Sequence, residues 1–560
     1  MSQALKVAFL TGSDSESTRD SIAAVAALPG IEPVAILFDD AKAPVGRRIK
    51  NLRRNIRRNG WRYIPNRLLG VLRQLTDRLA ERVLMRSSEV DDLLKAAFPD
   101  RSRNLWELSD RLSIPLEECG NLNEERAVGI LRARGADLGV VLGTRVLRPV
   151  IFSVPRLGCV NLHKGKVPEF RGMPPAFWEV FEGAAKTAAT VHFVDSKLDT
   201  GPVVDAGEVD VLPGDTPDTL MVRLNEAGLT VLTRAVSAIA AGTHQTRVQP
   251  QGSHKAKTTP TLADVAALRA RLPHWIHSSD ASSALKNVVY LLLYVSGIYG
   301  LVRLVRRLRG QSRAAIILYH RVNDLSRDTL TVDIRMFAAH LLAIGKFNAT
   351  PGTTRVVRDL RDGRGIPGGG TAVLIHFDDA YLDVHTNAGP LLKLTGIPAT
   401  HFVNSGFVGT SRRFDHDARI HACRQANCDV EDLRRWVANG CEVGAHTVNH
   451  ADLGQCTPEE ARREVVGSGQ ELALMTGGPI PLFSFPFGRL DNIREDVRQV
   501  VREAGYEALF SAHGGYVDQS TSVWDIPRFG ANSNHRPLWL LMEVEGLSLA
   551  ALGGWFRRGG

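Results

Sequence analysis

Two stretches of this chain bring together side chains that could act jointly on a substrate. In HFDDAYLD, adjacent carboxylates Asp378 and Asp379 follow an apolar run, TAVLI. Paired acids at the end of a buried strand are costly unless positive charge sits beside them. HTVNH supplies His446 and His450, four residues apart and therefore on one face of a helical turn or loop. A carboxylate with two imidazoles is a ligand set for a divalent metal with positions left open for water. One aspartate would bind the ion, and the other would stay free to take a proton from bound water. The second stretch is NLHKGKVPEFRG. Asn161 and His163 stand two apart on a strand and so project from the same face, while Asp199, in the turn LDTGPVV, comes from a neighbouring segment.

These residues need scaffolds, and the chain has room for them. Its 560 residues exceed one hydrophobic core, so two to four domains are expected. Hydrophobic residues make up 44% and mean hydropathy is −0.09, as in a folded globular protein. The net charge of +9 is concentrated in GRRIKNLRRNIRRNGWRYIPNRLLGVLRQ and RLVRRLRGQSR, which suits a partner bearing phosphate, anionic lipid or nucleic acid. Six cysteines are too few for a disulfide scaffold. Cys423 and Cys428, in CRQANC, lack a second pair at zinc-finger spacing and read as reduced thiols. The sequence opens on a strand with no secretion segment, so a cytoplasmic location is expected.

LKVAFLTG, SESTRDSIAAVAAL and IEPVAILFDD read as strand, helix and strand, opening a parallel α/β sheet. The first loop, TGSDSES, carries no GxGxxG, which disfavours a dehydrogenase-type dinucleotide fold. Residues 41–101 form a basic helical excursion, after which helix and strand alternate again. DTLMVRLNEAGLTVLTRAVSAIAAG closes this unit as a helix stopped by Gly242. A first domain is set at 1–272, a linker at 273–313 and a second domain at 314–560. Within the linker, residues 288–302 carry no charge and arginines follow at once. That run is shorter than the ~20 apolar residues a bilayer span needs. Its tyrosines and arginines suit a helix lying at a lipid headgroup boundary, with a buried inter-domain helix as the alternative. From Ala314, AAIILYHRV, TAVLIHFDDAY, IPATHFVN and GCEVGAHTVNHADL supply the strands of a second α/β unit.

NLH, FRG, the EG of Glu182 and Gly183, and LDTGPVV resemble the 10-formyltetrahydrofolate-dependent formyltransferases, over roughly residues 4–272. That family includes methionyl-tRNA formyltransferase, glycinamide ribonucleotide transformylase and the sugar N-formyltransferases. The resemblance implies a Rossmann-like domain with Asn161, His163 and Asp199 as catalytic residues, and Phe170, Arg171 and Gly172 at the folate. On this reading a primary amine attacks the formyl carbon. Protonated His163 and the Asn161 amide stabilise the oxyanion, while Asp199 sets the charge state of His163 and helps remove the amine's proton. KGKVP stands where the family has SLLP. The tRNA enzymes of this family carry a further β-barrel for tRNA, where this chain passes into the apolar helix and another domain.

HFDDA, HTVNH and SFPFG resemble the TFDDG, H-[ST]-x-x-H and R-x-P-[FY] motifs of the NodB-type polysaccharide deacetylases, carbohydrate esterase family 4, over roughly residues 314–531. The resemblance implies a distorted (β/α) barrel, Asp378 as base, and Asp379, His446 and His450 as ligands of a divalent metal, zinc being expected. Ala380 replaces the usual glycine, and Ser484 stands where an arginine often steadies the base. Arg528, in WDIPRFG, is a candidate to orient the base instead. His513 and His535 are candidates for the general acid, since no clear Leu-x-His follows.

The whole is therefore expected to be α/β, a Rossmann-like formyltransferase domain followed by a barrel deacetylase domain. Together the resemblances imply a bifunctional enzyme of cell-surface glycan or glycolipid synthesis. It would formylate an amino sugar from 10-formyltetrahydrofolate and remove an acyl group from a sugar amine. The acceptor would be nucleotide- or lipid-linked, nucleic acid is not an expected partner, and residues 285–309 would touch the inner membrane face. The alternatives are a methionyl-tRNA formyltransferase-like enzyme with an unrelated deacetylase domain, and a membrane-peripheral glycan-binding scaffold with inactive sites.

Overall fold

The computed structural model describes residues 4–42, 44–86, 88–250, 254–272, 275, 281–325, 328–366, 370–419 and 426–548. Cys423 lies outside them. Two compact units emerge, one from Met1–Tyr63 with Pro99–Pro273, the other from Ile64–Phe98, His274–Ala418 and Arg424–Gly560.

Seven strands make the sheet of the first unit: β1 (Leu5–Thr11), β2 (Ile31–Phe38), β3 (Leu116–Glu118), β4 (Leu138–Leu142), β5 (Cys159–His163), β6 (Lys186–Phe193) and β7 (Val203–Asp210). Their order is β3-β2-β1-β4-β5-β6-β7, with the first five parallel and β6 and β7 antiparallel. Val7, Ala8, Phe9 and Leu10 of β1 are all fully buried, as a parallel strand covered on both faces requires. Phe9 packs with Ile22 and Val25 of the helix α1 (Glu16–Ala26) and with Val231 and Leu232 of the helix Pro217–Ala240. Leu10 packs on the opposite face with Val128 and Leu131. The reversal from β5 to β6 matters most for function, because it sets Asn161 opposite His192.

The second unit contains β8 (Arg313–Tyr319), a short pair β9 (Arg321–Val322) and β10 (Thr331–Val332), then β11 (Thr371–Asp378), β12 (Ala399–Val403), β13 (Glu442–Ala445), β14 (Leu482–Ser484), β15 (Ala508–Phe510) and β16 (Phe529–Gly530). Its main sheet runs β15-β14-β13-β12-β11-β8-β16, parallel throughout. Apart from β16, the strands follow one another in chain order. Phe510 of β15 also bridges Ile526, three residues before β16, so the sheet curls back almost to its own start. This is the distorted (β/α) barrel the second half was expected to form. Every residue of β11 is buried, which explains its unbroken apolar run.

The basic excursion is divided between the units. The helix α2 (Val45–Asn59) stays with the first, where Arg58 donates to Thr258 Oγ1 at 3.3 Å and to the Thr259 carbonyl at 2.8 Å. The helices α3 (Tyr63–Leu84) and α4 (Glu89–Ala97) send Ala80, Leu84 and Val90 into the core of the second, with Phe337 and Leu341.

The linker holds two helices, Ala281–Val295 and Ile298–Leu308, bent by 57° about a break that contains Gly297. Among the described residues no single helix is long and apolar enough to cross a membrane. The tyrosines and two of the arginines do not face outward as the sequence suggested. Tyr290 and Tyr299 are buried in the second core. Arg303 and Arg306 both bind the carboxylate of Glu545, whose side chain is 1% exposed. A carboxylate so buried needs cations, and that demand turns the arginines inward. The side chains left outside on this segment are chiefly leucines.

Candidate active sites

In the first unit, β5 ends at a cavity of about 1040 Å³ whose walls include Asn161, His163, Lys164, Gly172, His192 and Asp199. Asp199 has φ +52° and swings its carboxylate toward both histidines. Its Oδ2 lies 3.6 Å from His163 Nδ1, and its Oδ1 lies 3.7 Å from His192 Nε2. The Gly172 amide donates to Asp199 Oδ2 at 3.0 Å. Asn161 Nδ2 is 3.2 Å from His192 Nε2. The three residues expected to be catalytic are therefore gathered at one cavity, with His192 as a fourth member that the sequence reading missed. Its only signal was its register opposite Asn161, which cannot be read without knowing that the strands pair.

Electrostatics refine the expected roles. Burial lowers the His163 pKa, with Asp199 pulling the other way. Burial would raise the Asp199 pKa, but the bond to His192 and the neighbouring His163 win and hold it below the usual carboxylate value. The resting pair is thus neutral imidazole beside ionised carboxylate, and His163 is set to gain a proton during the reaction. His163 Nε2 meets the Phe170 carbonyl at 2.8 Å. Of the FRG run only Gly172 lies on the cavity wall, since the Phe170 carbonyl steadies His163 and Arg171 donates to the His254 carbonyl. Their peptide groups build the loop that carries Gly172.

Lys164 departs most from an ordinary surface lysine. It lines the cavity and donates to Ser17 Oγ at 2.8 Å, a neutral partner. Burial lowers its pKa to about 8.

In the second unit, Asp378 closes β11 and Asp379 turns off it with φ +74°. HTVNH is the loop after β13, with His450 at φ +56°. Such backbone is uncommon for side chains other than glycine and is often retained at functional sites. Asp379 Oδ1 lies 3.4 Å from His450 Nε2 and 3.9 Å from His446 Nε2. His446 Nδ1 meets the Ser484 carbonyl at 2.8 Å, which turns Nε2 toward the aspartates. One ligand atom from each of Asp379, His446 and His450 lies within 4.8 Å of the others. Both Asp379 oxygens are buried with no hydrogen-bond partner. Leaving a carboxylate so exposed to its own desolvation is costly, and a divalent cation held by these three residues would remove that cost. The donor set fits the expected ion. Without it, burial and the adjacent Asp378 raise the Asp379 pKa well above its usual value.

Asp378 has the opposite environment. Desolvation works against its charge, but Arg528 overrides it, and the pKa falls below the usual range. Both terminal guanidinium nitrogens of Arg528 reach its carboxylate, and Ser484 Oγ stands beside them. The two candidate general acids go elsewhere: His513 pairs with Asp525 at 3.0 Å, and His535 lies 3.8 Å from Glu543. A further histidine at the cluster is His416, with Nε2 3.7 Å from Asp379 Oδ2 and the Tyr381 hydroxyl 2.8 Å away. Nothing in its sequence context, FDHDARIH, signals this position.

Two family profiles match this chain. The formyl transferase profile matches residues 88–236 and the polysaccharide deacetylase profile matches residues 366–509. The methionyl-tRNA formyltransferase of Chlorobium chlorochromatii is 30% identical over 154 residues, 28% of this chain and 48% of that protein. The methionyl-tRNA formyltransferase of Methylobacterium nodulans is 36% identical over 136 residues, 24% of this chain and 44% of that protein. The chain thus spans about half the length of these curated relatives. Among solved structures, a Streptococcus pyogenes deacetylase in complex with acetate aligns over 41% of this chain and 97% of its own, at 22% identity and TM-score 0.36. Glycinamide ribonucleotide transformylase 1 from Symbiobacterium toebii aligns over 45% and 96%, at 16% identity and TM-score 0.31. The chain is a fusion of two enzyme domains. The first is a formyltransferase domain, and the second is a polysaccharide deacetylase domain.

Proposed function

We propose that this is a bifunctional enzyme of cell-surface glycan or glycolipid synthesis, formylating one sugar amine and uncovering another by metal-dependent deacetylation. What carries the reading is one pairing of sites on one chain. Asn161, His163 and Asp199 surround a cavity suited to acylating an amine, and Asp378 stands beside a metal-type cluster suited to hydrolysing an amide.

In the first site, bound 10-formyltetrahydrofolate would supply the one-carbon unit. The Asn161 amide donates to the oxygen that becomes anionic. His163 is the proton acceptor placed at the attacking amine, and Asp199 stabilises the imidazolium that results. Lys164 supports an anionic carrier on the acceptor, because a half-hidden cation with only a hydroxyl partner favours a phosphate nearby. This suits a nucleotide- or lipid-linked sugar.

In the second site, a divalent ion such as zinc would polarise the amide carbonyl and acidify water. Asp378, kept ionised by Arg528, takes the proton from the attacking water. Asp379, His446 and His450 would hold the ion, with His446 oriented by the Ser484 carbonyl.

The acceptor is placed at the cytoplasmic face of a membrane, which the protein touches peripherally through residues 285–309. Incubating the metal-loaded protein with 10-formyltetrahydrofolate and a panel of nucleotide- and lipid-linked amino sugars tests the reading. Formylated sugar supports it, and no formyl transfer across the panel contradicts it. A second reading, formylation of a tRNA-borne amine, draws on the names of the curated relatives. Salt-sensitive tRNA binding with no activity on sugars would favour it.

A further inference from the structure

The helix α3 has two apolar faces. Thr76, Ala80 and Leu84 lie on one, turned into the second core. On another, Ile64, Leu68, Val71, Leu72, Leu75 and Leu79 recur three and four residues apart and are exposed, Leu68 at 63% and Leu75 at 58%. A soluble surface rarely leaves a row of that length open unless something covers it. Arg67, Arg78 and Arg82 are exposed along the same side. The acids of α3 point elsewhere: Asp77 pairs with Arg536 at 3.2 Å, and Glu81 with Arg335 at 3.5 Å.

A second row lies on the helix Ile298–Leu308, where Leu301, Leu304 and Leu308 are exposed, the last at 77%. That helix contains no acid, and Arg307 and Arg309 at its end are exposed. The helix before it touches α3 directly, because Asn287 Nδ2 donates to Thr76 Oγ1 at 3.1 Å and to Asp77 Oδ1 at 2.7 Å. Two segments more than two hundred residues apart in the chain therefore present leucines edged by arginines, on helices of one unit that are linked through the helix Ala281–Val295.

We propose that α3 is a second membrane-contact element, and that its leucine row, together with that of the helix Ile298–Leu308, seats the deacetylase unit on an anionic bilayer surface. This rests on the peripheral-membrane part of the function proposed above. The chemistry selects the occupant. Leucines enter the acyl boundary while arginines meet anionic headgroups. A second copy docked on the same patch would face arginines with arginines, since a twofold interface brings a surface against itself. Seated this way, the unit would meet lipid-linked sugars at the membrane rather than from bulk water.

Co-sedimentation of the full chain with vesicles tests this, using phosphatidylcholine alone or mixed with phosphatidylglycerol. The unaltered chain is expected to bind the mixed vesicles, and salt is expected to weaken binding. Leu68→Glu with Leu75→Glu should lower partitioning about tenfold or more. Arg67→Glu with Arg78→Glu, which leaves the leucines intact, should abolish the preference for phosphatidylglycerol. Circular dichroism and deacetylation of a soluble substrate should be unchanged in both. Binding that survives both α3 changes but falls with Leu301→Glu and Leu308→Glu overturns the role of α3 and leaves contact through 285–309 standing. No binding by the unaltered chain overturns both. A dimer dissolved by the Leu68 and Leu75 changes, with no vesicle binding, also overturns the proposal.

Discussion

Arg528 holds Asp378 through two parallel hydrogen bonds, Nη1 to Oδ1 and Nη2 to Oδ2, each 2.7 Å long. The residues are 150 positions apart, and both are buried. Arg528 also donates to Ser484 Oγ at 2.7 Å and to the Ser511 carbonyl at 2.8 Å. The proposed general base of the second site is thereby charged and fixed in direction before any substrate arrives.

Arg528→Met should slow deacetylation about a hundredfold or more and destabilise the protein by roughly 3–5 kcal/mol, the usual cost of stranding one partner of a buried pair. In the native protein Arg528 depresses the Asp378 pKa, so the pair's stability is present above the unfolded carboxylate value and is lost only as pH falls through the lower folded value. Without Arg528, burial is opposed only by the neighbouring His446 and His320, and the Asp378 pKa rises. The acid limb of the deacetylation profile should then move to higher pH. Rates across pH and denaturant melts check both parts. Arg528→Lys should rescue little, since a point charge cannot make two parallel bonds.

Chelation should abolish deacetylation and spare formyl transfer, because among the described residues the ion-type cluster lies in the second unit. His450→Ala should reduce bound metal below one ion per chain. Protons compete for Asp379, His446 and His450, so affinity for the ion should weaken as pH falls. Elemental analysis and metal titrations at two pH values measure this.

Gly165→Ala should separate the activities in the other direction. A Cβ there would stand 2.6 Å from His163 Nε2 and 2.7 Å from the Phe170 carbonyl, inside the bond that orients the ring. Formyl transfer should fall about a hundredfold, as misplacement of a reacting group does, while deacetylation stays within experimental error. Parallel assays on one preparation decide the matter.

Lys164→Gln should raise KM for a phosphate-bearing amino sugar about tenfold, the scale of one charge-assisted contact, with a smaller change in kcat. In the free protein this lysine loses its proton near pH 8. Wild-type KM should therefore increase as pH rises through that value, and the variant should show no such increase.

The motifs with chemistry were legible because they are local: an apolar strand ending in two acids, two histidines four apart, and an asparagine and a histidine on one strand face. The barrel was expected from the resemblance that the motifs carry, not from the strands themselves. What stayed hidden depends on pairing across distance. His192 reaches its site through the register of β5 and β6, and His416 reaches the aspartates from a stretch without pattern. The sequence marked 41–101 only as a basic helical excursion, and nothing local to it shows that Ala80, Leu84 and Val90 enter the core of the second unit. Composition marked arginines after the apolar linker run, yet it could not reveal that Glu545 draws Arg303 and Arg306 inward.

The most direct test of the account is a single incubation of metal-loaded protein with 10-formyltetrahydrofolate and lipid- or nucleotide-linked sugars, some N-acetylated and some with a free amine, followed by mass spectrometry. The account predicts release of acetate and appearance of N-formyl sugar, with His450→Ala losing only the first and His163→Ala only the second. Intact metal and folate binding with neither product formed would contradict it.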